Sequence, residues 1–212
     1  MHRIFVLLFL FISSFCKAQF SENVPYSRDY EFKEGIYLTI SQFKNNAPVL
    51  KSDIESILPK DQIDFLTQVL EQKVVTYTDS AGQKQKNQPG TLWGYAQNRA
   101  IYINFNNEFN RMNVIGTLCL FSAMIVQSSM RNEPLGDMYA IQPSFQELRQ
   151  YVLDTQTNKI LDFDAKSMEL LLKNDAVLYE GFMKLKKRAK ADSIFIYLRK
   201  YNENHPLYLP VK

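Results

Sequence analysis

Apolar residues recur at two different periods along this chain. From Gly35 to Gln42 (GIYLTISQ), Ile36, Leu38 and Ile40 alternate with polar neighbours, which predicts a half-buried strand. Asn45-Asn46 and Pro48 then punctuate a turn over residues 43–48. Residues 52–73 fit neither period fully: a short helical turn, with Ser52 and Glu55 spaced as a capping box, leads past Pro59 into either a helix or a strand. Val74 to Thr78 (VVTYT) is β-branched and aromatic, hence a strand, and Asp79 to Gly82 turns it into a polar return strand, Gln83 to Gln88. Thr91 to Gln97 and Ala100 to Phe105 form a hairpin about Asn98-Arg99, with aromatic residues on both arms, and residues 106–110 turn again. Arg111 to Ser129 holds a long apolar stretch that Gly116 and Thr117 break, read as a strand or two, and residues 131–136 read as a loop. A further hairpin joins 145–153 to 160–163.

The period changes at Asp164. Met168, Leu171 and Leu172, then Val177, Leu178, Phe182 and Leu185, then Ile194, Tyr197 and Leu198 recur three and four residues apart, predicting two or three amphipathic helices to about Asn202. The C-terminal stretch from His205 to Pro210 is extended and apolar, expected to pack back onto the body. Strands followed by helices make an α+β chain, and sequential hairpins make its sheet antiparallel, curled or barrel-like. The expected organisation is a strand-rich 35–163 and a helical 164–203 within one domain, residues 19–212, after an irregular lead-in over 19–34.

Residues 1–18 stand outside that domain. His2 and Arg3 precede an unbroken apolar run, Ile4 to Ile12, and the small residues Cys16 and Ala18 frame a cleavage site before Gln19. This is the pattern of a secretory signal peptide. The run falls short of the roughly 20 apolar residues that span a bilayer, as does the stretch at 114–126, so no transmembrane segment is expected in the mature chain. A membrane anchor and lipidation at Cys16 are the alternatives. Removing the segment takes away Arg3 and Lys17, leaving 23 Lys+Arg against 22 Asp+Glu. A charge so near neutral gives no reason to expect nucleic acid as a partner.

Little catalytic chemistry is visible. The mature chain keeps one cysteine, Cys119, in an apolar run that marks it as core, and one histidine, His205. Zinc sets of Cys and His cannot be filled, and no Walker A loop, dinucleotide fingerprint or nucleophile elbow occurs, so no cofactor is expected. Asp162 and Asp164 could share one face and act as a carboxylate pair, or serve as strand end and helix N-cap. The basic run Lys184, Lys186, Lys187, Arg188 and Lys190 reads as a solvated helix face or as a contact for a polyanion or an anionic membrane. Aromatic residues make up 13% of the chain, and Trp93, Tyr95 and Tyr102 are the candidates for lining an apolar pocket, against the reading that they pack a core.

Trp93 to Asn104 (WGYAQNRAIYIN), Phe109-Asn110-Arg111, Val114-Ile115-Gly116, Gly35-Ile36-Tyr37, Phe43 to Pro48 and Tyr201 to Leu207 (YNENHPL) together resemble a group of uncharacterised exported proteins of Bacteroidetes-type bacteria. The resemblance implies an envelope location, periplasmic, outer-membrane-associated or secreted, and carries no activity or site. The expected role is a non-enzymatic structural or partner-binding domain, its partner an unknown envelope protein. The alternatives are binding of a small apolar ligand on the aromatic sheet face and, third, a carboxylate-dependent hydrolase.

Overall fold

The hairpin alternation read between residues 91 and 114 becomes three strands in series. The computed structural model describes residues 22–128 and 144–211; the expected signal segment with Cys16 and the loop expected at 131–136 lie outside them. Strand order along the chain begins with β1 (Asn23–Pro25), β2 (Gly35–Tyr37), β3 (Val49–Leu50), β4 (Ile54–Glu55), β5 (Val75–Thr78) and β6 (Lys84–Asn87). It continues through β7 (Gly94–Gln97), β8 (Ala100–Phe105), β9 (Glu108–Val114), β10 (Leu118–Ser128), β11 (Ser144–Asp154) and β12 (Lys159–Asp162) to β13 (Tyr208–Pro210). The helices are α1 (Ile40–Lys44), α2 (Phe65–Leu70), α3 (Ala165–Leu171), α4 (Ala176–Met183) and α5 (Lys187–Asn204).

Two-residue loops at Asn98-Arg99 and Asn106-Asn107 join β7 to β8 and β8 to β9. All four residues have positive φ (52°, 61°, 56° and 63°), the type I′ geometry whose twist matches the flanking strands. The second turn is therefore tighter than the five-residue turn expected there, and β9 already starts at Glu108. An eight-stranded antiparallel sheet results, in the order β12-β11-β10-β9-β8-β7-β2-β3. The strand expected over residues 35–42 stops at Tyr37. Thr39 takes an extended conformation and its side chain accepts from Gln42 N–H, while Gln42 Oε1 accepts from Leu38 N–H at 2.6 Å. That local Thr-x-x-Gln cap starts α1, overriding the period-two pattern of Ile36, Leu38 and Ile40. The capping box expected at Ser52 and Glu55 does not form: Ser52 bonds Asp53 within a single 3-10 turn, and Glu55 lies in β4.

The sheet curls but does not close, with β12 and β3 as its edges. In a flat sheet, strands about 4.8 Å apart would hold the start of β7 and the β11–β12 turn roughly 20 Å from one another. Instead the Trp93 indole Nε1–H donates to Asn158 Oδ1 at 3.4 Å, and Lys44 Nζ in α1 donates to Thr155 O at 3.3 Å. The concave face gathers Tyr37, Phe43, Ile101, Ile103, Met112, Phe121 and Leu153 into one core, with Leu207 and Leu209 from the C-terminal stretch. That stretch does pack back, as expected, and β13 pairs with β1 of the lead-in.

The convex face is covered twice. Over β2 and β7, α2 and the small sheet β4-β5-β6 bury Ile54, Phe65, Leu66, Val69, Val75 and Tyr77. Over β10 and β11, the three C-terminal helices bury Met168, Leu172, Phe182, Leu198 and Tyr201 against Leu118, Leu120 and Val152. Asp164 and Asp175 cap α3 and α4 by accepting from Ser167 and Leu178 N–H. Asn202 ties α5 to β10: its Oδ1 accepts from Leu118 N–H and its Nδ2 donates to Leu118 O, both at 2.8 Å. Among the described residues no helix is long and apolar enough to cross a membrane.

Candidate functional site

The curl leaves a cleft at its seam, where α1, the start of β7, the β8–β9 turn and the β11–β12 turn converge. Its volume is about 500 Å3, within the range of small-molecule sites. Leu38, Ile40, Leu92, Trp93, Phe105 and Ile160 form its apolar walls, and Thr39, Thr91, Asn104, Asn106, Asn107 and Asn158 supply polar groups. Every polar side chain bordering it is uncharged, in a chain with 22% charged residues.

Trp93 is held rigidly in this wall. Its backbone N–H donates to Tyr37 O at 3.0 Å and its carbonyl accepts from Asn104 N–H at 2.8 Å, so neighbours on both sides fix the chain. One face of the indole stacks on buried Phe43, centroids 4.6 Å apart, and Tyr37 meets it edge-on at 6.2 Å. Tyr37 is itself locked: its hydroxyl proton is shared between Lys33 O and Asn46 Oδ1, each at 3.2 Å, and burial pushes its phenol well above the ordinary range. Asn104 Nδ2 donates to Pro89 O and Leu92 O, holding the loop that leads into Trp93. Asn106 and Asn107 are exposed, and no side-chain hydrogen bond to another described residue engages their amides as donors.

The three aromatic residues singled out in the sequence do not share this cleft. Tyr95 and Tyr102 are cross-strand partners on the convex face, stacked at 4.5 Å with an interplanar angle of 4°, and Phe109 meets Tyr95 edge-on. Tyr95 is buried, its hydroxyl lies 3.4 Å from Thr67 Oγ1 of α2, and desolvation raises its pKa. Strand alternation would place Trp93 and Tyr95 on one face. The regular ladder begins only at Gly94, where the backbone runs so close to β8 that a Cβ would lie 2.2 Å from Tyr102 O. Trp93 lies beyond that ladder and packs towards the concave core instead. The rim asparagines carry no site signal in the sequence, because each sits in a turn, where asparagine already has a conformational reason to be.

Of the other candidate groups, Asp164, Cys119, His205 and Lys190 have structural partners. Asp162 and Asp164 both border an open groove of about 530 Å3 beside Lys166, Lys173 and Tyr179. The Asp164 carboxylate accepts from Ser167 N–H at 2.7 Å as the cap of α3. The Cys119 thiol is fully buried and donates to Gly116 O; burial pushes its pKa up to about 12. His205 Nε2 lies 3.1 Å from Asp175 Oδ2, and its ring packs on Tyr201. Asn204, Leu178 N–H and this imidazole together hold the Asp175 carboxyl below its ordinary range. Of the basic run, Lys190 turns inward to Glu169 at 2.5 Å. Among the described residues no three His, Cys, Asp or Glu side chains gather as a metal site.

A model of a family of unknown function matches residues 35–205. The chain belongs to DUF6563. The span of DUF6563 on this chain starts at β2 and ends at His205, so it holds the whole curled sheet, the seam cleft and all three C-terminal helices. It leaves out the β1–β13 ribbon that backs the concave core. No curated protein and no solved structure matches the chain.

Proposed function

We propose that this DUF6563 chain is an exported envelope protein that binds a target without transforming it, residues 1–18 being removed and 19–212 acting as one α+β unit. The observation that carries the reading is the seam cleft. It offers a rigid aromatic wall and free amides on turns that the sheet holds in place, which is how binding sites are commonly built. Three groups with catalytic potential are engaged elsewhere: Asp164 caps a helix, Cys119 is a buried thiol and His205 is paired with Asp175, which leaves Asp162 without its proposed carboxylate partner. A second reading, docking of an envelope protein, draws on Met124 and Leu148. They are cross-strand partners on the β10–β11 hairpin, and both remain exposed together with Val126.

Native mass spectrometry of the protein purified gently from an envelope fraction tests this. A mass beginning at Gln19 with a retained small-molecule adduct supports the ligand-binding reading. A retained protein supports docking. Extra mass on Cys16 identifies a lipid-anchored form, and an unprocessed chain confined to the cytoplasm overturns export.

A further inference from the structure

We propose that the seam cleft takes a neutral saccharide, with Trp93 as the stacking platform and Asn106, Asn107 and Asn158 as the hydrogen-bonding rim. This rests on the reading that the cleft binds a ligand, and it names the class.

The lining decides between ligand chemistries. A charged ligand would lose its hydration on entering and meet no countercharge, since every polar side chain bordering the cleft is neutral. A wholly apolar ligand would cover the rim amides and leave them without partners, at a cost for each buried donor or acceptor. A sugar avoids both penalties. Its hydroxyls each donate and accept, and a primary amide likewise offers two donors and an acceptor. The C–H face of a pyranose ring is flat and apolar and suits an indole face, while its edge presents hydroxyls to the surroundings. Here the indole is already fixed by Phe43 behind it and by Asn158 at its Nε1–H. Asn106 and Asn107 are set in a type I′ turn with φ of 56° and 63°. The indole and the turn backbone therefore need little ordering on binding, which leaves the cost to the Asn106 and Asn107 side chains.

Trp93 is the only tryptophan in the chain, so indole emission excited beyond the tyrosine absorption band reports on this cleft. The mature protein is titrated separately with cellohexaose, maltohexaose and chitohexaose, and with Nile red and a heparin oligosaccharide as apolar and anionic comparators. The expected result is a saturable change in indole emission with at least one neutral oligosaccharide, at millimolar concentration or tighter. Heparin should leave the emission unchanged. Asn106→Asp and Asn107→Asp keep residues that tolerate positive φ and should weaken binding by about tenfold or more with the urea midpoint little moved. Trp93→Phe keeps a ring on Phe43, and binding followed by calorimetry should fall in the same way. Nile red binding in the cleft with none of the neutral sugars overturns the saccharide and leaves a ligand site. No response to any probe overturns both. Saccharide binding unaffected by the three substitutions places the site elsewhere and overturns the assignment.

Discussion

Replacing Asn202 by alanine tests how the helical layer is fastened to the sheet. Both amide groups of Asn202 are spent on one residue, Leu118, at 2.8 Å each, and Leu118 is only 1% exposed. Alanine strands the Leu118 N–H and C=O at the first residue of β10, where the strand enters the helix-covered core. Each buried backbone group left unpaired costs about 1–3 kcal/mol, and water admitted beside half-buried position 202 recovers part of it, so the expected loss is about 2–4 kcal/mol. For a chain of this size that lowers Tm by roughly 5–15 °C. Urea unfolding followed by far-UV circular dichroism measures it, with the midpoint moving and the slope unchanged. Asn202→Asp sharpens the test. The carboxylate still accepts from Leu118 N–H but repels Leu118 O; protonated, it can donate again. Its folded pKa is thus raised, the variant is least impaired below the ordinary carboxylate range, and the deficit grows as pH rises through the folded pKa. Gly116 supplies an independent check, because a Cβ there would lie 2.5 Å from Asn202 Cγ. Gly116→Ala should cost much less in the Asn202→Ala background than in the native one. Equal costs in both backgrounds, or Asn202→Ala within about 0.5 kcal/mol of native, would refute the clamp.

Gln97 is buried in β7, and its Oε1 accepts from the N–H of Leu66 in the first turn of α2 at 2.8 Å, a cap supplied from across the convex core. Gln97→Leu should destabilise by about 1–3 kcal/mol in urea unfolding, and a neutral outcome would show that α2 needs no such cap. The depressed pKa of Asp175 contributes stability above its ordinary value of 3.8 that is lost as pH falls through the lower folded value. Asp175→Asn should therefore flatten the acid limb of stability against pH, and an unchanged limb would remove Asp175 from it. The Cys119 thiol, with a pKa near 12 and no exposed surface, should stay unmodified by a thiol reagent at neutral pH until the protein unfolds. Peptide mapping that finds Cys119 labelled at native urea concentrations contradicts its burial.

Patterning alone carried the antiparallel α+β architecture, because its elements are local. The hairpin arms alternate, their two-residue turns open on asparagine, and the helices repeat at three and four residues, α3 and α4 behind Asp caps. What stayed hidden was set by distant contacts or by caps that compete with periodicity. Ile36, Leu38 and Ile40 alternate as a strand would, yet Thr39 and Gln42 close a helix cap across them. β1 is three residues of an otherwise irregular lead-in, and nothing near it in the chain announces that β13 will pair with it. The cleft was half legible. Trp93 is an aromatic candidate in the sequence, but the structure separates it from Tyr95 and Tyr102, because the regular ladder begins only at Gly94. Its real neighbours, Asn106, Asn107 and Asn158, meet it only once the sheet has curled. The segments that carry the family resemblance also acquire physical reasons. Asn46 bonds Tyr30, Lys33 and Tyr37, Asn98 and Arg99 make a turn, and Asn202 clamps α5.

The account stands on the seam of the curled sheet being where this protein binds. The most direct measurement is a nitrogen-15 correlation spectrum of the mature protein, in which the single indole gives one Nε1–H resonance, recorded before and after adding the neutral glycan fraction of a bacterial envelope. The account predicts that the Trp93 indole signal and the side-chain amides of Asn106, Asn107 and Asn158 shift together, while backbone amides around Asp162 and Lys173 stay still. An unmoved indole with shifts gathered along that second groove would contradict it.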